Sequence, residues 1–269
     1  FRFWLLHRFA YSYRICIDLT SKSMQNTLIS IGKTAQMLGI SIDTLRRWDL
    51  AGRLKSVRSS PRGHRYYLQS DIEQVFHEKH IIELTQQWAT ASRAMEPASN
   101  MYCQTRDVFQ ARLETFQAGL SRISPLTTVS LITAVAGEIG NNSFDHNLGS
   151  WPDIPGIFFS YSMRSRKVVL ADRGQGILAT LKRVRPELAN AEEALKVAFT
   201  ETVSGRFPEA RGNGLKFVKS IIIANPFTLS FQTGNAYIYL KRQDKDIVVQ
   251  KAKTLIRGCF ATIGFEGLL

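Results

Sequence analysis

Glu138, Asn142 and His146 stand four residues apart in TTVSLITAVAGEIGNNSFDHN, where the apolar residues Val129, Ile132, Val135 and Ile139 recur at helical spacing. A helix of this kind buries one side. A four-residue step drifts by only about 40° at 3.6 residues per turn, so the three polar residues share one face. A carboxylate beside an amide on one face can hold a hydrated magnesium ion and orient a water near a phosphate. Further along, Asp172 ends the stretch KVVLAD and is followed by Gly174 and Gly176. Glycines at those places leave room for a flat ring against the backbone, and the carboxylate can accept a hydrogen bond from an exocyclic amine such as that of adenine. Gly212 and Gly214 then open a helical stretch whose free N–H groups would bind phosphate, with Arg211, Lys216 and Lys219 adding charge.

These residues need a scaffold, and its pieces are legible. The helix carrying Glu138 precedes two short strands, GIFFSYSM and KVVLAD, and a polar stretch from Thr200 to Ala210 reads as a lid-like loop. The order ExxxN with a following His, then DxGxG, then GxGL, over about residues 123–265, resembles the Bergerat-fold ATPase superfamily. That superfamily takes in gyrase, the ninety-kilodalton heat-shock chaperones, histidine kinases and mismatch-repair ATPases. LSFQTGNAYIYLKR and IRGCFATIGF look like the closing strands of the same fold. The resemblance implies an α/β sandwich, a mixed sheet with helices on one face, that takes ATP (or ADP) and Mg²⁺. It makes Glu138 the water-activating or Mg-orienting acid and Asn142 the Mg ligand. Asp172 would contact the adenine amino group, Gly174 and Gly176 would shape the base pocket, and Gly212 and Gly214 would hinge the lid. Thr233 would touch the base through its hydroxyl or a water. The lid is short, so ATP binding is expected ahead of fast turnover. No GxxxxGK[ST] occurs, which excludes a P-loop.

The front of the chain carries a different pattern. Ile31, Ala35, Leu38, Ile40, Leu45 and Trp48 give two short amphipathic helices with Gly39 as the turn between them. The second helix, about Ile42 to Ala51, carries Thr44, Arg46 and Arg47 where a helix entering the major groove needs donors. From Leu54 to Tyr67, a turn marked by Ser59, Ser60, Pro61 and Gly63 separates two extended pieces, as in a wing. Between Thr44 and Tyr66 there are seven basic residues, Arg46, Arg47, Arg53, Lys55, Arg58, Arg62 and Arg65, against the single acid Asp49. Each cation that neutralises a phosphate adds sequence-independent affinity. The elements LRRW, AG-L and GHRYY resemble the winged helix-turn-helix of the MerR and excisionase group over about residues 29–76. The resemblance implies duplex DNA as partner, with Thr44, Arg46, Arg47, Arg62, His64, Arg65 and Tyr66 as contacts.

With 35 Lys and Arg against 22 Asp and Glu in 269 residues, the chain carries a formal charge of +13, and an acidic partner is expected, nucleic acid before membrane. Residues 1–23 are expected to be upstream sequence or a disordered extension. Residues 77–122 are expected to form a helical linker, capped by Asp71 and broken at Glu96-Pro97, through which the MerR resemblance implies a homodimer. His77 is read as solvated and not as a phosphoacceptor. Cys16, Cys103 and Cys259 are scattered singly, which points to neither disulfides nor zinc. The most apolar stretch, Thr127 to Gly137, is too short to span a membrane. The expected whole is an α+β, cytoplasmic, DNA-binding transcriptional regulator with an ATP-binding sensor domain. The alternative is a protein kinase of the histidine-kinase or anti-sigma-factor serine-kinase type using the same pocket.

Overall fold

The computed structural model describes residues 27–58, 60, 63–93, 95–163, 165–202 and 213–265, without the side chains at 74 and 76–79. The expected extension over 1–23, Arg62, Arg211, Gly212, positions 203–210 of the lid-like stretch and the His77 side chain lie outside them. The chain divides into two compact units between His77 and Glu78.

The first unit comprises β1 (Leu28–Ser30), α1 (Ile31–Leu38), α2 (Ile42–Leu50), β2 (Tyr66–Leu68) and the first turns of α3 (Gln69–Thr90). Gly39 ends α1 in the left-handed region at φ 62°, which favours glycine. Two residues on, the Ser41 side chain caps α2 by accepting from the Thr44 N–H at 3.1 Å. The apolar faces of α1 and α2 close with Leu54, Tyr67 and Ile72 over a small core of Ala35, Leu38 and Leu45. β1 and β2 pair antiparallel, and Val57 pairs with Tyr66 through two backbone bonds, which is the described part of the wing.

α3 begins at Gln69, so Asp71 lies in its first turn and favours the positive helix end without capping it. It stops at Thr90 because tertiary partners take its last carbonyls: Arg173 donates to Trp88 O and Ala91 O, and the Arg257 N–H donates to Ala89 O.

The second unit is built on a seven-stranded sheet. Its strands are β3 (Tyr102–Cys103), β4 (Ile157–Ser162), β5 (Lys167–Asp172), β6 (Thr228–Thr233), β7 (Ala236–Lys241), β8 (Val249–Lys251) and β9 (Cys259–Gly264), in the order β3-β4-β5-β9-β6-β7-β8. Its helices are α4 (Arg106–Leu120), α5 (Leu126–Asn147), α6 (Gly176–Leu181), α7 (Ala191–Thr200) and α8 (Gly214–Ala224). The α+β class stands, but the mixed sheet does not: every pairing among the described strands is antiparallel. The helical crossover from β5 to β6 does leave those two strands running the same way. The chain's last strand, β9, fills the slot between them and is antiparallel to both.

Helices on one face alone is corrected as well. Ile157, Phe159, Val168 and Leu170 join the main core with α4, α5, α7 and α8, while Phe158, Val169 and Ala171 join a second cluster with Ile81 and Trp88 of α3. The two-residue period of β4 and β5 therefore feeds both faces. Nor is Arg106–Leu120 linker material, since its Phe109, Leu113, Phe116 and Leu120 are core residues against α5.

Candidate functional site

α5 carries one wall of a cavity of about 920 Å³. Its buried side, Val129, Ile132, Val135 and Ile139, sits in the core and turns the opposite face to the opening. Glu138, Asn142 and His146 all line the cavity, as the four-residue spacing required, and Asn142 Nδ2 donates to Glu138 Oε1 at 3.1 Å. Across from them lies the start of α8. Gly214 there approaches so closely that a Cβ on it would fall 1.8 Å from Glu138 Oε1. A side chain there would have to push the Glu138 carboxylate aside.

Asp172 closes the inner end, where β5 meets the loop to α6. It is 2 % exposed, and its carboxylate accepts from Ser143 Oγ and from the Gly174 N–H, each at 2.8 Å. Burial raises its pKa to about 6, against the lowering effect of those two bonds and of the Cys259 N–H. Gly258, at φ 72°, passes the same carboxylate so tightly that a Cβ would lie 2.3 Å from Oδ1. Cys259 follows it into the cavity wall, and burial, reinforced by the Asp172 charge, holds its thiol well above the ordinary range.

Five residues from three sequence-distant motifs, Glu138, Asn142, Asp172, Gly176 and Gly214, thus line one cavity. Two others sit behind it. Gly174 is buried against Asn147, and the Thr233 hydroxyl is committed to the protein, donating to Gly258 O at 3.0 Å and accepting from the Ile177 N–H at 3.1 Å. Thr233 therefore braces the entry to β9 against α6 and presents no hydroxyl to the opening. Ser143, Cys259 and the rim residues Arg106, Gln110, Asn141 and Asp145 line the cavity without having been read from the sequence. Ser143 adjoins Asn142 and had a signal of that kind. Asn141 and Asp145 share α5 with Asn142, whereas Arg106, Gln110 and Cys259 come from elements that only the fold brings near.

The first unit presents a basic surface. Arg46 and Arg47 are exposed on α2, Arg46 pairing with Asp43 at 2.9 Å and Arg47 Nη2 donating to Thr44 Oγ1 at 3.2 Å. His64 and Tyr66 are exposed at the wing. Arg65 is not. Its Nε donates to Asp49 Oδ2 at 2.9 Å, and the same carboxylate takes Arg58 Nη2 and both the N–H and the hydroxyl of Ser56. Burial pushes the Asp49 carboxyl up, but the Ser56 N–H, Arg65, the Ser56 hydroxyl and Arg58 outweigh it and hold it well below the usual range. Arg65 thus ties the wing to α2.

No described helix is long and apolar enough to cross a membrane, and the described residues contain no group of three or more His, Cys, Asp or Glu side chains arranged as metal ligands. Residues 30–67 match the family described as MerR family regulatory protein. The first unit carries this family's helix-turn-helix. No curated protein matches the chain.

Proposed function

We propose that the chain is a DNA-binding regulator whose second unit binds Mg-ATP in the cavity beside α5, in the manner of the Bergerat-fold ATPases it resembles. The observation that supports this reading is the convergence of Glu138, Asn142, Asp172, Gly176 and Gly214 on one cavity of about 920 Å³. That size is within the range that encloses a small ligand. The donor chemistry fits. Glu138 and Asn142 offer two hard oxygen donors, as magnesium prefers when phosphate and water complete its shell. Asp172 is a buried acceptor at the closed end, suited to an exocyclic amine. Bound magnesium would neutralise phosphate charge.

In this reading each residue has a separate task. Asp172 selects the base, held in place by Ser143 and the Gly174 N–H. Asn142 would be the magnesium ligand through its amide oxygen, its amide nitrogen being tied to Glu138. Glu138, facing the start of α8, is placed to accept a proton from a water. The α2 helix enters the major groove with Thr44, Arg46 and Arg47, while His64 and Tyr66 meet the backbone from the wing. ATP occupancy changes DNA affinity, which makes the second unit a sensor.

Calorimetry on the full chain with Mg-ATP and Mg-GTP tests the cavity, with ATP bound and GTP bound at least tenfold more weakly as the expected result. DNA titration at fixed salt, with and without Mg-ATP, tests the coupling, for which a change of roughly 5- to 150-fold is expected. Equal affinity for both nucleotides would remove the base-selecting role of Asp172, and identical DNA curves would remove the sensor. Transfer of phosphate from ATP to a protein in the same mixture would replace the sensor by a kinase.

A further inference from the structure

Resting on that reading of the cavity, we propose that Arg106 is the residue that distinguishes a nucleotide's phosphate chain from a bare nucleoside. The charge around the opening poses the problem. Glu138, Asp145 and Asp172 line it, and among the described lining residues Arg106 is the only arginine or lysine. A polyphosphate entering would pass the Glu138 and Asp145 carboxylates of α5, with Asp172 at the inner end beyond it. Magnesium held by Glu138 and Asn142 would offset part of that repulsion, and among the described lining residues only this guanidinium carries a fixed positive charge to offset more.

Arg106 is well placed for the task. It opens α4, whose N-terminus is capped by the Thr105 side chain accepting from the Val108 N–H. α4 is pressed against α5 so closely that a Cβ on Gly140 would lie 2.2 Å from the Phe109 ring, which fixes the backbone from which Arg106 extends. Two polar rungs cross the seam between the helices at the rim: Arg106 with Asp145, and Gln110 Nε2 donating to Asn141 Oδ1 at 2.7 Å. The rungs are four residues apart on both helices, so they lie one turn apart along the cavity. Asp145 stands three residues beyond Asn142 on α5 and lines the same cavity. The guanidinium is therefore held on the side where the metal-bound phosphates would lie.

Its chemistry suits the exchange. A guanidinium has five donors in a planar fork, and its Nη2 meets Asp145 Oδ1. The side chain remains 47 % exposed, so the pair is screened and gives way at little cost to a more highly charged acceptor. Asp145 parks the arginine when the cavity lacks phosphate and yields it when phosphate enters.

The test is calorimetry of the full chain with ATP, ADP and adenosine in Mg²⁺, for the native chain, Arg106→Gln and Asp145→Asn. Arg106→Gln should weaken ATP at least tenfold and leave adenosine within about twofold. Asp145→Asn should leave ATP binding unweakened or tighten it, since it frees the arginine. Adenosine binding reports that each variant retains the cavity. If the native chain binds adenosine and ATP but Arg106→Gln keeps their ratio, Arg106 has no part in phosphate recognition. Equal losses of ATP and adenosine in both variants would make the pair a structural tie only. A native chain that binds neither would overturn the nucleotide reading itself, a result distinct from the other two.

Discussion

Arg173, fully buried, grips Asp153 with two nitrogens: Nε and Nη2 both donate to Oδ2, at 2.9 and 2.6 Å. The same guanidinium holds the Trp88 and Ala91 carbonyls at the end of α3. The residue next to Asp172 thus satisfies the end of α3, and Arg257, next to Gly258, adds its N–H to Ala89 O.

Replacing Arg173 by Ala should therefore be costly, because it strands two carbonyls and a partly buried carboxylate. Breaking a buried pair costs about 3 to 5 kcal/mol, or very roughly 6 to 20 °C in Tm for a unit of this size. Burial pushes the Asp153 carboxyl up, but the Arg173 bond, the Ile154 N–H and the charges of Arg173 and Arg257 bring it below its ordinary 3.8. A depressed carboxylate stabilises the fold above that ordinary value and loses its contribution as the pH falls through the lower, folded one. Calorimetric melts should show the gap between native chain and variant constant above 3.8 and narrowing as the pH falls below it. A gap that stays constant there too would mean that Asp153 is not the partner that matters.

Asp172 has the opposite sign. Its carboxyl is raised from 3.8 to about 6, so its share of the stability of the ligand-free fold is present below 3.8 and lost as the pH rises through about 6. Nucleotide binding runs the other way, since the ionised form is the better acceptor for an amine. ATP affinity should rise with pH across about 6. Asp172→Asn should flatten that profile and weaken ATP by about tenfold or more, equivalent to about 1.5 to 3 kcal/mol. A pH-independent affinity in the native chain would rule out Asp172 as the acceptor.

Glu138 and Asn142 should separate in their effects. Glu138→Ala should leave ATP bound while ending any phosphate release, whereas Asn142→Ala should impair the Mg-dependent part of binding. Gly214→Ala forces its new methyl against Glu138 Oε1 and should resemble Glu138→Ala in turnover. Phosphate release and calorimetry together check the set. If the native chain releases no phosphate, the Glu138 arm is silent and the Asn142 arm still decides the metal site.

On the DNA side, Arg47→Ala should lower the salt slope of binding by about one phosphate contact, roughly 0.9 in the log–log plot. Arg65→Ala should loosen the wing by removing one partner of Asp49. It should weaken all duplexes alike and lower the melting temperature of the first unit while leaving the slope nearly unchanged. Equal slope changes for the two variants would show that Arg65 leaves Asp49 to meet phosphate.

Some of this was legible in the sequence because it is local. The helical period around Glu138 fixes which residues share a face. Gly39 and Ser41 mark the joint of the two front helices through a left-handed turn and a cap. The short apolar run of KVVLAD marks a strand whatever it pairs with. Asp172, Glu138 and Asn142 could be named in advance because their spacing lies within single elements or motifs. What local spacing does not contain is the partner. That β9 inserts between β5 and β6, making the sheet antiparallel, depends on a strand nearly ninety residues downstream of β5. That α4 is core and not linker depends on Gly140 admitting the Phe109 ring. The Thr233 hydroxyl turns to Gly258, the Arg65 guanidinium to Asp49 and the Arg106 guanidinium to Asp145, because a polar group near a packed surface takes the nearest partner the fold supplies. Residue type determined what each could do, and tertiary packing decided where each one's hydrogen bonds went.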